Sequence, residues 1–173
     1  MLLLTSVTSG VRRGEALGLL KENLHLDEGS VVIKHSLSFI SGKGLVLGET
    51  KSEKSIRKIA LPEFTINVLR DHLSKHSQNS RFVFSTGKGT PFSPRNILRH
   101  FKLKIKEAGL PMATRIHDLR HSYISWLIRA GQDIKSVQAT AGHAQASTTL
   151  EIYGHLLPGY NREAADKIEG MFN

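Results

Sequence analysis

The segment RIHDLRHSYIS, residues 115–125, sets His117 and His121 four positions apart, with Arg120 between them and Asp118 alongside. On a helix, residues three and four apart share a face, and three readings follow. Imidazoles at i, i+4 can reach one zinc, and with Asp118 they approximate the H-E-x-x-H pattern of metalloproteases. Against that, Arg120 puts a fixed cation where a dication would sit, and the shorter Asp draws the supposed base back. Alternatively, His117 and Arg120 at i, i+3 project together as a phosphate clamp. The planar Arg fork matches phosphate oxygens, and His adds a donor or a proton acceptor. The plainest reading is a solvated helix face, since H-x-x-R is a common tetrapeptide and such residues are mostly exposed.

A phosphate reaction needs further parts. The charge of its transition state calls for more than one cation, and a nucleophile and a proton donor for the leaving oxygen must be at hand. TSGVRRGEALGL offers Arg12, with Glu15 three residues on to orient it. GETKSEKSIRKIALP offers Lys51 in a charged turn, and AGHAQASTTLEIYGH offers His143 at a Gly turn and Tyr153 on a short helix.

The elements that must position these groups are mainly helical. LLLTSVTSGVRRGEALGLLK spaces Leu4, Val7, Val11, Leu17 and Leu20 loosely at a helical period. SVVIKHSL reads as a strand, and GLVLGETKSEKSIRKIALP as two strands around the charged turn, Ile56, Lys58 and Ala60 alternating with Arg57, Ile59 and Leu61. Pro62 opens a helix over EFTINVLRDHLSKH. RFVFS is a short apolar run before the turn TGKGTPFSP, and PRNILRHFKLKIKEAG is a basic helix ending at Gly109. On a wheel with His117 at zero, Leu119, Tyr123, Trp126, Leu127 and Ala130 fall between about 180° and 280°, which predicts the buried face. His117, Arg120 and His121 fall on the other side. Gly131 stops that helix, Asp133 caps IKSVQATAG, and TTLE (148–151) has the capping-box pattern for a helix through EIYGHL. The tail after Pro158, 159–173, reads as one more amphipathic helix. The expected fold is α+β, mainly helical, with a small antiparallel three-stranded sheet towards the N-terminal side.

Composition bounds the partner. The 173 residues carry 24 Lys and Arg against 15 Asp and Glu, a formal charge of +9 that suits a polyanion. The absence of Cys excludes disulfides and thiolate metal sites. MLLLTSV lacks a basic region and is too short for a signal peptide, and no stretch is long enough to span a bilayer. A soluble cytoplasmic protein, one domain in 1–173, is the expectation. The abrupt start suggests a fragment that lacks a preceding domain.

The motifs TSGVRRGEAL, TKSEKSIRKIAL, HDLRHSYIS, AGH and STTLEIYGHL, in that order over about residues 5–157, resemble the catalytic domain of tyrosine recombinases, the phage-integrase family. The resemblance implies that Arg12 and Arg120 hold the non-bridging oxygens of a scissile DNA phosphate, with Glu15 supporting Arg12. It implies that Lys51 protonates the departing 5′ oxygen, His117 exchanges the proton of the tyrosine, and His143 hydrogen-bonds the phosphate. Tyr153 attacks, giving a 3′-phosphotyrosyl link, and neither metal nor other cofactor is required. Arg13 beside Arg12 leaves some ambiguity, which the family pattern resolves for Arg12. The implied partner is double-stranded DNA, also contacted by Arg95 and Arg99 of the basic helix, with a homotetramer in the full-length protein. The implied role is integration or excision of a mobile element. The N-terminal core-binding domain of the family has no counterpart in this sequence. Strand relaxation in the manner of a type IB topoisomerase, a non-catalytic DNA-binding relic and a metalloprotein are the competing readings.

Overall fold

The computed structural model describes residues 1–49, 55–76, 79–142, 146–154, 166 and 168–171. Helices α1 (Leu2–Ser9) and α2 (Arg13–Leu17) lead to a single 3₁₀ turn and then to β1 (Leu24–His25), β2 (Ser30–Ile33), β3 (His35–Ile40), β4 (Gly44–Glu49) and β5 (Arg57–Ala60). Five helices follow: α3 (Glu63–Lys75), α4 (Pro94–Glu107), α5 (Asp118–Arg129), α6 (Ile134–Ala141) and α7 (Ala146–Tyr153). The three-stranded antiparallel sheet exists in the order β1–β2–β5, beside a separate β3–β4 hairpin. Its membership differs from the expected one. SVVIKHSL breaks at Lys34, so that its first half pairs with β5 and its second half with β4. RFVFS makes only isolated bridges, Phe82 with Leu20 and Ser85 with Pro91. The alternation read in β5 holds, with Arg57, Ile59 and Leu61 inward.

The opening run is not one helix. α1 ends at Gly10, whose φ of 64° is left-handed and whose N–H bonds back to the Ser6 carbonyl. That break swings the chain so that Arg12 becomes the N-terminal cap of α2. A Cβ on Gly10 would lie 2.4 Å from the Tyr123 ring of α5. Gly10→Ala should therefore cost at least about 1–2 kcal/mol from the backbone alone, with the ring contact adding to it. Urea denaturation would measure the loss.

The largest departure is the face that α5 buries. Arg120, Ile124 and Ile128 point inward, while Trp126, expected in the core, is 55% exposed. Ile124 and Ile128 fall at about 340° and 20° on the wheel, flanking His117. Both sides of α5 carry apolar residues, so hydrophobicity does not choose between them. What chooses is Arg120, whose guanidinium finds backbone carbonyls inside (below), which removes the penalty of burying it. α7 starts at Ala146, ahead of the expected TTLE cap, which places Thr148 and Thr149 within the helix. Of the expected tail helix, residues 166 and 168–171 are described; Asp166, Ile168 and Glu169 are helical, and Gly170 and Met171 form a turn.

The other helix signals hold. Pro62 sits one residue before α3, Pro94 in the first turn of α4, and the Asp133 carboxylate accepts from the Ser136 N–H at 3.0 Å. Apolar burial forms two separate clusters. One joins α1, α2, the sheet and α3 through Leu17, Ile33, Ile59, Leu69 and Phe84. The other lies among α5, α6 and α7, through Ile124, Ile128, Val137, Ala141 and Tyr153. The contacts between α1 and α5 and between β5 and α6 join them, and the candidate site occupies that joint.

Candidate active site

Glu15 is the hub of one half of the site. It is the third residue of α2, and its Oε2 accepts the Arg12 backbone N–H at 2.8 Å, the reciprocal arm of a capping box. Its Oε1 accepts from Arg12 Nη1 at 3.0 Å. The strongest partner is Arg57 of β5, which grips both carboxylate oxygens at 3.1 and 2.7 Å. The Arg57 and Glu15 side chains are 6% and 4% exposed, whereas that of Arg12 is 42% exposed. Burial pushes the Glu15 carboxyl up, but the hydrogen bonds and charges of Arg57, then of Arg12, outweigh it and hold the group below its ordinary value. Glu15 is therefore a carboxylate at neutral pH, and Arg12 offers its outer edge to solvent.

Backbone carbonyls at and near two left-handed glycines aim the cations. Gly142, with φ 63°, ends α6, and its carbonyl accepts from Arg12 Nη2 at 3.1 Å. The carbonyl of Gly10 accepts from Arg120 Nη1 at 2.6 Å, and that of Ala141 from Arg120 Nη2. Arg57 Nε donates to the Thr140 carbonyl at 2.9 Å. A Cβ on Gly142 would lie 2.9 Å from the Arg57 guanidinium, so only glycine lets the strand and the end of α6 approach this closely. Burial, then the charge of Arg12, pushes the Arg120 guanidinium down to about 10, where it remains cationic at neutral pH. An arginine carries five N–H donors, and the two carbonyls leave some of them for a ligand.

His117 caps α5, and its ring meets His121 edge-on, with centroids 4.9 Å apart. Partial desolvation, then the neighbouring His121, Arg120 and Arg12, holds the His117 imidazole below its ordinary value, so it is neutral at pH 7. The Tyr153 hydroxyl does not meet His117. It meets Nδ1 of His121, and the tyrosine is 4% exposed. Burial raises the Tyr153 phenol, only partly offset by the charge of Arg120.

The basic helix supplies an outer surface. On α4, Arg95, Leu98, Arg99 and Lys102 fall within an arc of about 100°, beside the face that buries Phe101 and Ile105. Arg95 and Arg99 are exposed. A groove of about 470 Å³ runs from Leu98 and Lys102 past Arg13 and Arg115 to His117. Lys102 is anchored along it, donating to the Met112 and Thr114 carbonyls at 2.5 and 2.7 Å.

Arg12, Glu15, His117, Arg120 and Tyr153 are thus drawn together from α2, α5 and α7, as the spacing of the motifs required. Lys51 and His143 lie outside the described residues, although His143 directly follows Gly142 in the chain. Two residues escaped assignment from sequence. Arg57 was legible as an inward strand position with a cation on it, a signal that calls for a buried acid. His121 was paired with His117 in the zinc reading and given no role in the phosphate reaction. Among the described residues no helix is long and apolar enough to cross a membrane.

Comparison with known proteins agrees with this geometry. The chain is 26% identical over 192 residues to a tyrosine recombinase XerC-like protein of Caldanaerobacter subterraneus subsp. tengcongensis, covering 99% of the chain and 49% of that protein. It is 31% identical over 150 residues to tyrosine recombinase XerC of Natranaerobius thermophilus, covering 86% and 47%. The chain spans about half the length of the curated relatives it matches. Its fold is that of the Tn1549 transposon integrase, solved with a circular intermediate DNA (TM-score 0.81, 20% identity, 99% of this chain and 57% of that one). It is also that of XerA recombinase (TM-score 0.70, 22% identity, 99% and 57%). The phage integrase family profile aligns with residues 1–159. With that match running from the first residue past the buried tyrosine, the chain belongs to the phage integrase family.

Proposed function

We propose that this chain is the catalytic part of a site-specific DNA recombinase, which cleaves and rejoins strands through a 3′-phosphotyrosyl intermediate. One observation carries the reading: Tyr153 lies within the field of Arg120, beside a second guanidinium, Arg12, held open by a carboxylate and a carbonyl. Two cations converging on one phosphate stabilise its developing charge more in the transition state than in the ground state. Arg12 and Arg120 take the non-bridging oxygens, and Glu15 holds Arg12 in place. Lys51 protonates the 5′ oxygen, His143 adds a hydrogen bond to the phosphate, and the histidine pair of α5 exchanges the tyrosine's proton.

Double-stranded DNA is the partner. The groove and the Arg95–Arg99 face of α4 support it, because cations along a line neutralise successive phosphates. The integrases among the relatives favour integration or excision of a mobile element over mere strand relaxation. A second, DNA-encircling domain and a homotetramer on DNA complete the proposal for the whole protein, which acts with its DNA in the cytoplasm. Because Tyr153 and Arg120 lie beneath the surface, productive binding has to bring the phosphate down to them or α7 outward.

Covalent trapping on nicked duplexes tests the reading. A denaturant-stable adduct mapping to Tyr153 is expected from the unaltered chain. Tyr153→Phe should bind duplex DNA with nearly the same affinity and form no adduct. An adduct surviving in that variant would remove Tyr153 from the role.

A further inference from the structure

We propose that His121, not His117, is the group that takes the phenolic proton from Tyr153, an assignment that rests on the recombinase reading above and refines it. The hydroxyl of Tyr153 lies against His121 Nδ1, with the two ring centroids 5.8 Å apart and tilted by 48°. No comparable contact links Tyr153 to His117 among the described residues. The arrangement follows from α5 itself. His117 and His121 are one turn apart, but His117 caps the helix at its exposed mouth while His121 lies one turn further in, opposite α7. The residue nearest the incoming phosphate and the residue nearest the nucleophile are thus different histidines of one motif.

His121 is met by the His117 ring and by Tyr153 from α7, with Arg120 and Asp118 beside it on its own helix. With Nδ1 accepting, the ring's proton sits on Nε2. In the step, the phenolic proton passes to Nδ1 and the Tyr153 oxygen forms its bond to phosphorus. The bond from phosphorus to the 5′ oxygen breaks, and that oxygen takes a proton from the general acid assigned to Lys51. The imidazolium returns its proton to the phenol oxygen when a 5′ hydroxyl reverses the step. A buried phenol is a weak nucleophile until its proton has somewhere to go, and His121 is the described group in contact with it.

The test has two arms on the intact chain. In the first, Tyr153 is followed by ¹³Cζ-tyrosine NMR without DNA, its resonance identified by its loss in Tyr153→Phe. That resonance should shift in His121→Asn, which keeps a polar group but takes the imidazole away from the phenol, and hold its place in His117→Asn. In the second arm, adduct formation is timed as a function of pH. His121→Asn should lower the neutral-pH rate by about 10²–10⁴-fold, the span of general base catalysis, and flatten the acid limb, while His117→Asn retains that limb. A Tyr153 resonance indifferent to His121, or an acid limb that follows His117, overturns the proposal. If the unaltered chain forms no adduct, the recombinase reading is what fails, and the NMR arm still decides whether His121 holds the phenol.

Discussion

Arg57→Ala is expected to destabilise the fold by about 3 kcal/mol, the lower end of what removing one partner of a buried ion pair costs. Arg57 supplies both oxygens of Glu15 with partners, at 3.1 and 2.7 Å, and Glu15 cannot move out to water. Arg12 remains to hold one oxygen, which keeps the loss at the lower end, but it has to turn inward to do so. The substitution should therefore blunt phosphate binding as well as stability. The pH dependence follows from the same carboxylate. Its value in the fold lies below the ordinary 4.5, so its contribution is complete above about pH 4.5 and is lost as pH falls through the lower folded value. In Arg57→Ala the chief depressing partner is gone, and the acid limb should move to higher pH. Urea titrations from pH 7 down to pH 3 read both effects. A variant as stable as the parent, with an unmoved acid limb, would show that Glu15 is held by something else.

Arg120→Ala should lower the rate of adduct formation by about 10²–10³-fold or more, as loss of a donor aimed at transition-state charge does. Duplex affinity should change little, because an interaction made chiefly in the transition state adds little to ground-state binding. Arg120 also satisfies the Gly10 and Ala141 carbonyls, and orphaned buried acceptors cost about 1–3 kcal/mol each. Rates are therefore to be compared where circular dichroism shows both proteins folded, with Arg120→Lys alongside. Lysine keeps the charge and can reach one carbonyl, but it lacks the fork, so it should recover stability before it recovers rate. A parallel fall in affinity and rate would make Arg120 a docking residue only.

How much of this was legible beforehand differs between residues for physical reasons. Local signals carried far. Asp133 caps α6, Pro94 opens α4 and β5 alternates as read, because each depends on neighbours in sequence. The chemistry-bearing motifs were legible too, since side chains that meet at one phosphate must be of particular types wherever they come from. The inward face of α5 was not legible. An arginine at the centre of a buried stripe is prohibitive until two carbonyls from other segments are supplied, and those come from Gly10 and Ala141, 110 and 21 residues away. Arg57 was hidden for the same reason, because its partner Glu15 lies 42 residues upstream. The break at Gly10 needed only the recognition that glycine between two helical runs takes a left-handed turn.

The joint between the two apolar clusters has one more consequence. It is bridged largely by guanidinium, carbonyl and carboxylate groups rather than by hydrocarbon. Parting α5–α7 from the rest of the chain would bare chiefly polar surface, whose hydration lowers heat capacity instead of raising it. Such an excursion would respond to urea only in proportion to the limited area it bares, and strongly to ions, which screen or replace the bonds that hold it. The tyrosine and the arginines that must converge on it are thus hinged by a material that salt softens and a polyanion engages, while each half keeps its own oily core intact.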